Sequence, residues 1–161
     1  MLHAKRTSLS TRSYEITRDG RALTTFSPGG RKRLSGGCFP LGGTGYEVRS
    51  HRFTRVYELL DDGGSVVAAT SRVGRRWQLR AAGRVFHFRR NSFASREQSA
   101  FDEKGNPIGS LTSTGRGKPG ATADLPGLEP ELQVFALVVT LLRRQRKRAA
   151  AAVRASALTG G

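Results

Sequence analysis

From Leu132 to Leu142 the chain is apolar at every position except Gln133 and Thr140, and it then turns at once into Arg143, Arg144, Arg146, Lys147 and Arg148. A helix with a solvated face does not read this way; one that is apolar all round must be enclosed by protein or by lipid. Pro130 suits a first turn, where a missing N–H costs nothing, and Glu131 favours the positive end of the macrodipole, so the pattern predicts a helix over 130–142. The arginines that follow are placed to complement its last carbonyls. The 11-residue run rises about 16 Å, against roughly 20 residues for a membrane span. That length predicts a core helix, with interfacial insertion left open. The Ala-rich remainder of the chain has good helix propensity but few apolar residues to dock, and is expected to fray.

Upstream the period changes to two. Tyr14 and Ile16 alternate with Glu15 and Thr17, Arg18-Asp19-Gly20 supplies a turn, and Ala22–Phe26 resumes an extended run, which together read as a hairpin. Arg31–Leu34 reads as a short strand and SGGCFPLGG as a loop. Tyr46, Val48 and Ser50 share a face, as do Phe53, Tyr57 and Leu59 in the next run. Asp61-Asp62-Gly63-Gly64 is a strong hairpin turn, since glycine takes positive φ without steric cost, and SVVAATS is its partner strand. Further strands carry Trp77 and Leu79, then Phe86 and Phe88, then Phe93–Phe101, then Pro107–Ser113 after the turn at Asp102–Gly105. Residues 1–12 are polar, basic and without period, and 114–124 have the Gly, Pro and Thr content of a flexible connection.

The strands contain a weak repeat. Tyr14-Glu15-Ile16 before Asp19-Gly20 is matched by Tyr57-Glu58-Leu59 before Asp62-Gly63, and Gly105 extends the series. Short strands at regular spacing with turn signals between them predict a meandering barrel or sandwich.

The segments YEITRDGRAL, YELLDDGGSVVA and FDEKGNPIGSL, followed by ADLPGLEPELQVFALVVTLL as the last element, resemble the LURP-one-related and tubby C-terminal-like proteins over residues 13–142. The resemblance implies a closed barrel of about twelve strands threaded by a hydrophobic C-terminal helix, in a superfamily that includes the phospholipid scramblases. Tubby domains bind phosphoinositides through basic surface residues, whose positions have no match here. The acidic calcium-binding segment associated with scramblases is not visible either.

At 161 residues the chain is long enough for one domain without disulfides or metal. Its 28 Lys and Arg against 12 Asp and Glu give a net charge of +16, which favours nucleic acid, anionic lipid or acidic proteins as partners, or else belongs to a solvated basic surface. Cys38 is the single cysteine, so no internal disulfide forms and an oxidising compartment is not indicated. The first twenty residues hold no apolar stretch of secretory-signal type, and cytoplasmic localisation follows by default.

Catalytic chemistry finds little support. Gly37–Thr44 is one residue from a phosphate-binding loop, but Gly43 stands where that loop needs lysine, and a strand, not a helix, follows. His3, His51 and His87 are scattered, without the spacing of a metal site. Cys38 with His51 or His87 is the one thiol and base pairing on offer, but a lone cysteine near a glycine loop is far more often inert, and the acidic residues sit mainly in hairpin turns. Two features remain. RRQRKR beside the apolar helix has the composition of an anionic-membrane contact, of a nucleic-acid contact, or of a solvated helix end. GRVFHFRR sets Phe86 and Phe88 among Arg84, Arg89 and Arg90; exposed, such aromatics stack bases, but alternating in a strand they are expected to face the barrel interior.

These features predict a mainly β protein: a closed meandering barrel of about 10–12 short strands around a hydrophobic C-terminal helix, with a disordered basic arm over 1–12, the barrel over 13–142 and a basic tail over 143–161. The expected function is a non-enzymatic binding or membrane-peripheral module. Its preferred partner is an anionic membrane surface, contacted through Arg143, Arg144, Arg146, Lys147 and Arg148, with Arg31, Lys32 and Arg33 as a second patch. No cofactor or metal is expected. The alternatives are a nucleic-acid-binding protein using basic patches and strand aromatics, and a structural or regulatory domain without a small-molecule ligand.

Overall fold

A computed structural model describes residues 1–7, 12–29, 35–51, 53–114 and 119–160. The strands are β1 (Leu2–Arg6), β2 (Tyr14–Arg18), β3 (Arg21–Pro28), β4 (Ser35–Leu41), β5 (Thr44–Ser50) and β6 (Tyr57–Leu60), then β7 (Val66–Thr70), β8 (Arg76–Ala81), β9 (Arg84–Arg90), β10 (Glu97–Phe101), β11 (Pro107–Thr114) and β12 (Gly120–Asp124), followed by one helix, α1 (Pro130–Thr159). Each strand pairs antiparallel with the next, and β1 closes the barrel by pairing with β12, Leu2 opposite Ala123 and Ala4 opposite Ala121. Closure removes the sheet edges that an open meander would expose.

The two closing strands are the ones the periodicity does not reveal. Residues 2–6 are β1, not part of a disordered arm, and 120–124 are β12, not a connection. Their inward residues are Leu2, Ala4, Ala121 and Ala123, all buried. The helix backbone comes nearest to β12, β11 and β1, and small inward side chains are what permit that approach. SGGCFPLGG is also largely strand: Phe39 on β4 is 1% exposed, and Gly42-Gly43 makes the turn with φ of +58° and +81°. Gly37 lies so close to β3 that a Cβ there would stand 2.3 Å from the Ser27 carbonyl oxygen, which is why this strand begins with glycines and looks like a loop.

Inside the barrel lies the first half of α1. Leu132, Val134–Val139, Leu141 and Leu142 are buried, packed among Tyr14, Ile16, Phe26, Leu59, Leu79 and Phe88 of the strands. Each large apolar side chain buried this way contributes about 1.5–3 kcal/mol, and the helix carries them on every face because strands surround it. Its start is held by an ion pair of Arg84 with Glu129 at 2.8 Å and by Gln133 Nε2 donating to the Leu128 carbonyl oxygen at 2.8 Å.

The helix does not stop where the apolar run does. It continues through Arg148 to Thr159, so no basic residue occupies its last turn, and the arginines expected to complement its last carbonyls have a different task. Among the described residues no helix is long and apolar enough to cross a membrane.

Candidate functional site: the basic mouth of the barrel

In an up-and-down meander alternate connections fall at the same end. The end at which α1 leaves the barrel gathers the β1–β2, β3–β4, β5–β6, β7–β8, β9–β10 and β11–β12 connections. Their described residues include Arg12, Arg55, Arg72, Arg75 and Arg96, all exposed, and no Asp or Glu. At the opposite end the connections carry Asp19, Asp61, Asp62, Asp102, Glu103 and Glu129, against Lys104 as the one basic residue. A protein of net charge +16 therefore has its charge sorted along the barrel axis.

The sequence-predicted cations of α1 emerge into this basic end, and three of them are tied to its rim. Arg143 Nη1 donates to the Gly74 carbonyl oxygen at 2.8 Å, and Arg144 Nη1 donates to the carbonyl oxygens of Thr114 and of Gly120, the latter at 3.3 Å. Arg146 donates to Ser50 Oγ, with its guanidinium 5.5 Å from the centroid of the Tyr57 ring. Gln145 Nε2 donates to Tyr14 Oη at 3.1 Å. Strand-end and loop acceptors thus hold the helix in the mouth, while Lys147 and Arg148 are exposed. Arg31, Lys32 and Arg33 lie outside the described residues.

The cations are crowded. Burial lowers the pKa of Arg143, and Arg90 and Arg55 lower it further. Lys147 is exposed as a residue, yet partial desolvation of its ammonium beside the rim brings its pKa below the ordinary range, with Arg143, Arg90 and Arg55 adding to the shift. The ion pairs found among the described residues are Met1 with Asp19, Arg49 with Glu47, His51 with Glu58 and Arg84 with Glu129. None of them places a carboxylate beside Arg143, Arg146, Lys147 or Arg148.

Two phenylalanines differ from their sequence reading. Phe53 and Phe93 were expected inside strands; β6 begins at Tyr57 and β10 at Glu97, and the two rings are 94% and 80% exposed on the β5–β6 and β9–β10 connections of the basic end. Phe53 borders a depression with Arg55, Tyr57, Arg146 and Ala150, and the Arg75 guanidinium lies 4.5 Å from the centroid of Phe93. Trp77, Phe86 and Phe88, in contrast, are interior, with Trp77 and Phe88 stacked at 4.1 Å between centroids. The strand aromatics that base stacking would need on the surface are therefore core.

Arg55, Arg75, Arg96 and the exposure of Phe53 and Phe93 were not legible in the sequence. The signal that finds them is the parity of the connections, and β12 must be counted for α1 to leave the barrel at this same end. Among the described residues no three His, Cys, Asp or Glu side chains gather as a metal site would require, and Cys38 is exposed on the outer face of β4. Comparison of the chain with protein-family models, with curated proteins and with solved structures gives no match.

Proposed function

We propose that the protein is a non-catalytic, membrane-peripheral module that docks its basic mouth on an anionic lipid surface. The observation that carries this reading is the coincidence, at one end of the barrel, of the basic connections, the cations of the emerging helix and two exposed phenylalanines, with acidic connections at the other end. A basic side chain close to an anionic leaflet gains about 1 kcal/mol, and aromatic rings beside it settle at the headgroup level. The acidic end is repelled by the same surface, so the charge both attracts the protein and orients it. Past the depressions that reach Ala150 and Ala152, the last turns of α1 carry Val153 and Leu158, 70% and 84% exposed, and add apolar contact at this end.

The barrel threaded by its C-terminal helix is the arrangement that the resemblance to the LURP-one-related and tubby C-terminal-like proteins implies, and it supports placing the chain with them. The test is co-sedimentation with vesicles of anionic and of neutral lipid, with duplex DNA as competitor. Retention by anionic vesicles that survives competition supports docking. Binding to DNA at least as strong as to vesicles would instead assign the basic mouth to nucleic acid.

A further inference from the structure

Three depressions lie around α1 at the basic mouth, one beside each unit of the repeat, and they differ in what lines them. Tyr14 at the start of β2 and Tyr57 at the start of β6 face inward, each followed two residues on by a second buried side chain, Ile16 and Leu59. The corresponding inward pair on β10 is Gln98 and Ala100. Tyr14 meets Gln145 of the helix and Tyr57 lies under Arg146, so two of the three units set a ring against α1, each beside a depression of its own, of about 360 and 380 Å³. In the third unit the smaller Gln and Ala leave a cavity of about 190 Å³ between β8–β11 and the helix. By a comparable measure a single water needs about 10–15 Å³; this space admits a polyatomic ligand.

Arg90, Arg96, Arg143, Arg144 and Lys147 line the cavity together with Gln98 and Ser113, and no Asp or Glu is among the lining residues. Gln98 is 7% exposed and its Oε1 accepts a hydrogen bond from Trp77 Nε1 at 2.9 Å, which leaves its N–H2 as the group to offer a ligand. Arg90 Nε is buried with no hydrogen-bond partner. Such a donor is costly to leave unmade, and like charges this close repel unless an anion sits between them. From this convergence of unneutralised cations and donors on one cavity, we infer that it is a binding site for a phosphate monoester dianion. Besides Arg144, which the Thr114 and Gly120 carbonyls hold, four lining cations arrive from three directions, β9, the β9–β10 connection and α1. A carboxylate has two oxygens to meet them; a phosphate monoester presents three, with a charge of about −1.5 to −2 at pH 7, suited to guanidinium forks and an ammonium point charge.

The inference rests on the reading of this end as the anion-facing one, and it names what the surface selects. Trp77 lines the cavity and is the single tryptophan, so its fluorescence reports occupancy in the full-length chain. The titrants are inorganic phosphate, glycerol 3-phosphate, and vesicles doped either with phosphatidic acid, a monoester, or with phosphatidylglycerol, a diester, at matched surface charge. A saturable change with a monoester is expected, weakened at least tenfold in Arg90→Gln and in Gln98→Tyr, which restores the ring of the other two units, and unchanged in Arg154→Gln on the exposed helix. Saturation by free phosphate assigns the site to a soluble monoester. Saturation by phosphatidic acid vesicles alone assigns it to a lipid headgroup. The site is overturned if no monoester gives a saturable change, if phosphatidylglycerol gives the same one, or if Arg90→Gln, shown folded by circular dichroism, responds as the parent does; that variant decides the matter if Gln98→Tyr does not fold. Vesicle retention without any monoester response ends the cavity site and leaves docking standing. A monoester response in a protein that no vesicle retains does the reverse.

Discussion

Arg143 Nη1 donates to the carbonyl oxygen of Gly74 at 2.8 Å, across 69 residues of sequence. The bond joins the helix, just after its last buried leucine, to the β7–β8 connection at the barrel rim. The same guanidinium is half-buried among other cations, so a favourable charged hydrogen bond and an unfavourable charge environment meet in one side chain.

The expectation is that the bond outweighs the repulsion. A hydrogen bond made by a charged group contributes about 1.5–3 kcal/mol, and its loss leaves the Gly74 carbonyl with an incomplete partner set. Arg143→Ala is expected to lower the unfolding free energy by about 1–2 kcal/mol, read from urea denaturation, whereas Arg148→Ala, on an exposed residue, is expected to stay within about 0.5 kcal/mol of the parent. Equal losses would show that Arg143 is not a rim anchor.

Cations held together without carboxylates respond to salt. Screening shortens their mutual repulsion to about 10 Å at 0.1 M ionic strength, so the thermal midpoint is expected to rise between low salt and 0.2 M sodium chloride. A barrel stabilised by exposed ion pairs would move the other way.

Lys147 gives the pH dependence of the same crowding. Its folded-state pKa is lowered from 10.5, first by burial and then by Arg143, Arg90 and Arg55, so between the depressed value and 10.5 the unfolded chain holds a proton that the folded one has released. Stability contributed by this group therefore rises with pH through that window, and the penalty is fully present below it. Comparing the parent with Lys147→Gln isolates the effect from the tyrosines common to both: the variant is expected to be the more stable at pH 7, with the difference closing as pH approaches 10.5. A difference that stays constant across the window would mean that the ammonium is not destabilised in the fold.

Gly109 on β11 has φ of +143°, and a Cβ there would stand 1.9 Å from the Asp124 carbonyl oxygen on β12. The obstacle is backbone and the register Ser110 opposite Asp124 leaves it nowhere to go. Gly109→Ala is expected to cost about 3 kcal/mol or more, measured as a lowered denaturation midpoint. A loss under about 1 kcal/mol would mean that β12 can shift, and that closure by β1 and β12 is looser than the pairing indicates.

Phe53 and Phe93 bury almost nothing in the fold, so Phe53→Ala with Phe93→Ala is expected to leave stability within about 0.5 kcal/mol while weakening retention by anionic vesicles several-fold. Undiminished retention would confine the membrane contact to charge.

Much of the architecture was legible in the residues. The period of two in Tyr14–Thr17 and Tyr46–His51, the Asp-Gly turns and the unbroken apolar run of 132–142 fix strands, hairpins and an enclosed helix through local sterics and burial, without reference to distant partners. β1 and β12 escaped because Leu2, Ala4, Ala121 and Ala123 carry too little apolar surface to mark a strand; what makes them one is each other, and the helix that lies close against them. Residues 149–159 escaped for a related reason: alanine's helix propensity is a weak local preference, and a helix already nucleated inside a barrel extends it cheaply.

The candidate site divides along the same line. Sequence alone determined that the protein is strongly basic and that five cations follow the apolar helix. Only the tertiary structure decided which of those cations are spent on the rim, that Arg90 and Arg96 stand beside them, and that the cavity opens where Gln98 replaces a tyrosine. Charge composition is additive along a chain, but charge position is set by the parity of a meander and by closure between its first and last strands, contacts more than 100 residues apart, Leu2 with Ala123 among them.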